Sequence, residues 1–184
     1  MLRALRECSE ARATLAHVWK GLAWLGLLAR LVTGGVWIVA GALKIADPAA
    51  SVEAVRAYQL LPWSVAEWVG LALPALELVI GLALVLGLFA RGAAAISALL
   101  FVAFIVGIAS VWARGIEINC GCFGGGGYDA DAADQYPWEI ARDVALLAAS
   151  LLVVCVRRTR LALDSVLFDR RPDEPVEVAE GAEN

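Results

Sequence analysis

Two cysteines separated by a single glycine, Cys120-Gly121-Cys122, stand within Ile118-Asn119-Cys120-Gly121-Cys122-Phe123-Gly124, and glycines continue to Gly127. A disulfide needs its Cα atoms about 4.4–6.8 Å apart, and residues two apart in an extended chain sit near the top of that window. Closing the ring takes a tight bend, which Gly121 permits because it lacks a Cβ. A bond across so short a loop removes little chain entropy and would brace the fold weakly. Strained, exposed disulfides exchange instead. Two thiolates are also half of a tetrahedral zinc site. The single histidine, His17, is remote, no further cysteine is near, and the carboxylates of Asp129 and Asp131 are hard ligands beside soft thiolates. No metal is therefore expected. The chemistry left is thiol–disulfide exchange by Cys120 and Cys122, with Gly121, Phe123 and Gly124 setting the loop geometry. Cys122, next to the flexible glycines, is expected to be the more reactive thiol.

The elements that must hold this pair are apolar. Of 184 residues, 61% are hydrophobic and 18% charged, far to the oily side of a soluble domain. The apolar residues come in blocks that match the roughly 20 residues a helix needs to cross a bilayer. The expected architecture is an all-α integral membrane protein, a bundle of four transmembrane helices at about 30–46, 66–89, 93–112 and 138–156. Residues 1–20 read as a polar helix leading into the membrane, with no apolar core of a cleavable signal peptide. Asp47-Pro48 ends the first span, and an amphipathic segment follows at 51–61. Pro74 falls inside the second span, where a neighbouring helix can satisfy the carbonyl it frees. Ala90-Arg91-Gly92 reads as a turn, and the acidic tail within 157–184 as largely disordered. No basic pattern suited to nucleic acid is present, and nothing in the composition speaks to oligomeric state.

Arg and Lys concentrate in the N-terminal segment, at Arg91 and after the fourth span, whereas the cysteine loop holds Glu117, Asp129, Asp131 and Asp134 against Arg114. The positive-inside rule then places both termini in the cytoplasm, and residues 47–65 and 113–137 outside. On that side Cys120 and Cys122 meet an oxidising compartment if the membrane is a bacterial plasma membrane. Cys8 and Cys155 fall on the inner side, across about 30 Å of hydrocarbon.

A reactive thiol wants a nearby cation. Arg30, Gly34, Trp37, Gly41 and Lys44 recur at spacings of four and three, which puts them on one helix face; small residues there let helices approach closely. Glu77 lies mid-span, where a charge must be paired. Lys44 and Arg142 each lie roughly 8 Å outward of it by helical rise. A buried cluster of Lys44, Glu77, Arg142 and Asp143 beneath the cysteines is expected, catalytic or architectural.

These residues resemble a known group. The first span with Lys44 and Asp47-Pro48, then Tyr58 with Leu61-Pro62, and Pro74-Ala75-Leu76-Glu77-Leu78 with Gly81 look like the DoxX-like membrane proteins. Cys120-Gly121-Cys122-Phe123-Gly124 followed by Trp138 and Arg142-Asp143 looks like their MauE (methylamine utilisation) branch, over about residues 30–156. The resemblance implies a membrane partner in extracytoplasmic thiol–disulfide chemistry, working beside a thioredoxin-like protein. Its implied task is maturation of disulfide-containing exported proteins such as methylamine dehydrogenase. With no second dithiol on that side, electrons pass either to a membrane quinone, for which Trp37, Trp112 and Phe123 are candidate walls, or to the cytoplasm. Two alternatives stand: a non-catalytic assembly subunit with a structural loop disulfide, and a quinone-linked oxidoreductase subunit of the DoxX kind.

Overall fold

The computed structural model describes residues 2–156, with side chains from residue 21 onward; the tail at 157–184 lies outside the described residues. The described chain forms α1 (Leu2–Ala46), α2 (Pro48–Ala57), α3 (Trp63–Leu86), α4 (Ala90–Ala113) and α5 (Ala132–Cys155). The helix that carries the first span is therefore continuous from Leu2. It gives way to α2 at Asp47, whose side chain accepts the N–H of Ala50 at 3.0 Å while Pro48 takes the first helical position. α2 starts and stops earlier than the amphipathic segment expected at 51–61, because Gln59 takes a left-handed φ of 52°.

Within α3, Pro74 has no N–H to give the carbonyl four residues back, that of Gly70. The hydroxyl of Ser51 on α2 donates to that carbonyl at 2.8 Å. α3 ends on Gly87 at φ 71°, with the N–H of Leu88 returning to the carbonyl of Ala83 at 2.9 Å. The turn is therefore at residues 87–89, and Ala90, Arg91 and Gly92 already belong to α4.

Three helical stretches are long and apolar enough to cross a membrane: Gly21–Ala46, Trp63–Leu86 and Ala90–Ala113. α5 equals the last two in length at 24 residues, but Asp134, Glu139, Arg142 and Asp143 make its first half polar. The architecture is thus all-helical and membrane-type, with three spans marked by composition where four were expected.

α1 packs chiefly on α3, and α5 on α4. At the first seam a Cβ on Gly34 would lie 2.9 Å from the carbonyl oxygen of Gly81, so the small-residue stripe serves close approach. Trp37, Leu84, Phe101, Leu146 and Val153 fill the centre. Trp37 Nε1 donates to Ser97 Oγ at 2.7 Å, and Ser97 and Ser150 share a hydrogen bond at 2.9 Å. These bonds satisfy polar groups that are otherwise costly in an apolar interior. A second cluster of Ile108, Val111, Ile118, Ala132 and Tyr136 seats the cysteine loop on the ends of α4 and α5.

Candidate functional site: the cysteine loop

The loop is ordered by its backbone. Ile118 and Tyr128 pair antiparallel, with the Asn119 N–H donating to the Gly127 carbonyl at 3.0 Å and the Asp129 N–H to that of Glu117 at 3.2 Å. Tyr136 pins the base, accepting the N–H of Ile118 at 3.0 Å and donating to the carbonyl of Ile116 at 2.8 Å. At the tip, Asn119 Oδ1 accepts the Gly121 N–H at 2.9 Å, and Gly121 turns the chain at φ 67°. A Cβ at Gly121 would collide with that of Ala54, so the tip lies directly on α2. The Tyr58 hydroxyl, just past α2, donates to the Cys120 carbonyl at 3.0 Å. Burial, then the nearby sulfurs, push its ionisation far above the usual tyrosine range, so it stays a donor.

Both cysteines are free thiols, but their surroundings differ. Cys122 is buried and borders two small cavities. One, of about 40 Å³, is also lined by Lys44, Tyr58 and Phe104; the other, of about 20 Å³, by Phe104, Phe123, Arg142 and Asp143. Cys120 is half-buried and lines an open cleft of about 390 Å³ with Asn119, Phe123, Trp138, Glu139 and Arg142. Donating a hydrogen bond to Cys122, with burial next, pushes the Cys120 thiol far above the ordinary thiol range. Receiving that hydrogen bond pulls Cys122 below it, against burial and Asp143, with help from Arg142 and Lys44. The Cys122 N–H donates to Cys120 Sγ at 3.3 Å, which by itself favours charge on Cys120. The hydrogen bond to Cys122, burial and the adjacent Glu139 carboxylate outweigh it. The pair is thus split: acidity on the buried sulfur, access on the other.

Beneath the loop, Lys44 Nζ meets Glu77 Oε1 at 2.5 Å, with both side chains buried. Arg142 donates through Nε and Nη2 to Asp143 Oδ1 at 3.0 and 2.9 Å, and its guanidinium lies 4.9 Å from the Phe123 ring centroid. The family model described as methylamine utilisation protein MauE matches residues 22–156. The chain belongs to the MauE family. The match takes in every helix from the described side chains of α1 onward and the whole cysteine loop. Neither a curated protein nor a solved structure matches the chain.

In this MauE chain the structure gathers Lys44, Glu77, Arg142 and Asp143 as two ion pairs rather than one continuous network. Lys44 reaches Cys122 past α2, Arg142 reaches it past Phe123, and Phe104 borders both cavities, with Lys44 Nζ 5.5 Å from its ring centroid. Gly124 lies against Leu43 of α1 and lines the cleft with Phe123. Of the candidate quinone walls, Trp37 lines the cavity of about 20 Å³ with Cys122 and Phe123 but not the open cleft. Its ring lies against Phe101, with centroids 4.6 Å apart, and its indole N–H goes to Ser97. Trp112 packs against Tyr136. Sequence reasoning missed Glu139, although it stands three residues before Arg142 on the same helix face. It also missed Tyr136 and Asn119, whose bonds to the loop no spacing rule reveals.

Proposed function

We propose that this protein is a methylamine-utilisation membrane protein that exchanges disulfides with a thioredoxin-like partner on the outer face of a bacterial plasma membrane. The observation that carries the reading is the split pair: an accessible Cys120 in an open cleft and a buried Cys122 with Lys44 and Arg142 beside it. Exchange is fastest when the attacked sulfur is reachable and the leaving thiol is acidic. In the oxidised protein, a partner thiolate attacks Cys120 Sγ, the Cys120–Cys122 bond breaks, and Cys122 leaves as a thiolate. The partner's second thiolate then attacks its own sulfur in the mixed disulfide. Cys120 departs and takes up a proton, so two electrons pass from partner to pair and the partner gains a disulfide. That product suits the maturation of disulfide-containing exported proteins such as methylamine dehydrogenase.

The four-span topology is part of this reading, with both termini cytoplasmic and the loop outside. Trapping tests the chemistry. In Cys122→Ala, Cys120 should accumulate as a mixed disulfide with the partner, and Cys120→Ala should trap far less. Unchanged partner redox state in both variants would sink the proposal and favour an assembly subunit with a structural loop.

A further inference from the structure

Electrons that enter this pair must leave it. Among the described residues the third free cysteine is Cys155, at the opposite end of α5. No second dithiol therefore sits where it could relieve Cys120 and Cys122. An acceptor that relieves the pair directly must take two electrons and reach Cys120 Sγ.

Cys120 faces the open cleft of about 390 Å³, which is within the range of about 300–1,000 Å³ typical of small-molecule sites. Its lining is mixed in a particular way. Phe123 and Trp138 offer aromatic surface, Trp138 being 73% exposed; tryptophan favours the headgroup level of a bilayer. Arg142, Asn119 and Gln135 carry N–H donors, and two of the five on Arg142 are spent on Asp143. Glu139 brings an acceptor: its Oε2 is buried and has no hydrogen-bond partner. Such an orphan is costly unless a donor arrives. The cleft also touches the lipid side, since Gly124 on its wall lies against Leu43, an exposed apolar residue near the end of α1. A flat ring with carbonyl acceptors in its oxidised form, hydroxyl donors in its reduced form and an apolar tail fits the aromatic, donor and acceptor groups of this lining, and leaves the exposed Asp134 carboxylate on its wall to solvent.

We propose that the cleft beside Cys120 binds the ring of a membrane quinone, which removes the two electrons that the thiol partner delivers. This deepens the exchange reading and rests on it for the electrons. Arg142 and the amides hold the carbonyl oxygens, Phe123 and Trp138 flank the ring, and Glu139 accepts from the reduced hydroxyl. The reaction balances: Cys120 and Cys122 lose two electrons and become joined by an S–S bond. The quinone gains those electrons and two protons, one from the Cys120 thiol and one from water in the cleft, and becomes the hydroquinone. Partner and quinone use the same sulfur, so they act in turn.

Two probes test it on the full-length protein in lipid nanodiscs. Decylubiquinone is added to the dithiol form and hydroquinone formation followed, and the pair is separately oxidised with the small disulfide 5,5′-dithiobis(2-nitrobenzoate). The expected result is saturable reduction of one quinone per pair, with KM raised tenfold or more in Trp138→Ala and unmoved in Trp68→Ala, an exposed tryptophan of α3 that does not line the cleft. Normal disulfide formation with the small reagent, but no saturable quinone reduction, overturns the quinone site and leaves the exchange reading standing. A third arm uses a photoreactive azidoquinone. Its labelling of residues 119–142 in Cys120→Ala/Cys122→Ala supports the ring site even if the pair never closes, and that failure to close would overturn the exchange reading alone. Labelling that decylubiquinone does not compete away overturns the site.

Discussion

At the tip of the loop, one glycine separates two sulfurs with opposite tasks. The Cys122 thiol is pulled below the ordinary range first because Cys120 donates to it, with Arg142 and Lys44 adding to the effect. Cys120 keeps the proton because that bond, burial and Glu139 all favour the neutral form. The order of these causes makes a prediction. With Cys8 and Cys155 replaced by alanine, the rate of Cys122 alkylation by iodoacetamide should rise with pH about a midpoint below the ordinary thiol range of about 8.5. Cys120→Ala removes the largest stabiliser of the thiolate and should move that midpoint upward. Arg142→Met should move it upward by less. The sign is fixed: losing a donor or a cation favours the protonated thiol, so less thiolate is present at neutral pH. A midpoint that falls in Cys120→Ala would contradict the thiol–thiolate arrangement. The pair itself and its cations were legible from residue type and spacing. Which sulfur is buried was not, because that depends on Ala54 and Tyr58 of a segment more than sixty residues earlier.

At the scale of elements, α2 is the piece that joins scaffold to site. It caps on Asp47, lies under the Gly121 tip and repairs the proline in α3 through Ser51. The freed carbonyl at Pro74 was readable from the sequence as a debt some neighbour must settle, but the neighbour's identity was not, since a hydroxyl at Ser51 has no distinctive spacing. The arrangement makes Ser51 and Pro74 one unit. Ser51→Ala should destabilise the protein by about 1–3 kcal/mol, the cost of leaving a buried acceptor unpaired. In a Pro74→Ala background the helix supplies its own N–H to Gly70, and the same Ser51→Ala substitution should cost about 1 kcal/mol less or better. Thermal unfolding in detergent of the four proteins measures the coupling. Strict additivity would show that the Ser51 bond does not compensate for the proline.

For the whole molecule, the four-span proposal turns on α5. Its polar first half argues against it by composition, and a reading by hydropathy stops there. The packing argues for it. Arg91, at the start of α4, donates through Nε to the Val154 carbonyl near the end of α5 at 3.2 Å. Ser97 and Ser150 meet mid-way at 2.9 Å, and Trp112 and Tyr136 face each other at the far end with centroids 6.5 Å apart. α5 therefore runs antiparallel to α4 along its length, about 36 Å at the usual rise per residue, which is the packing the four-span proposal requires. Its charges are tolerable because they sit at one end, where Asp143 is buried against Arg142 and Glu139 faces the cleft. In a cysteine-free background, Tyr128→Cys, on a side chain 77% exposed, should react with a membrane-impermeant maleimide in intact cells. Gly92→Cys, where a Cβ meets nothing within 4 Å, should react only after permeabilisation. Thr159→Cys decides the count: four spans hide it until the membrane is opened, whereas three leave it on the same side as Tyr128→Cys. Labelling of Thr159→Cys in intact cells would put α5 outside the bilayer, and with it the membrane-embedded setting assigned to Arg142 and Asp143.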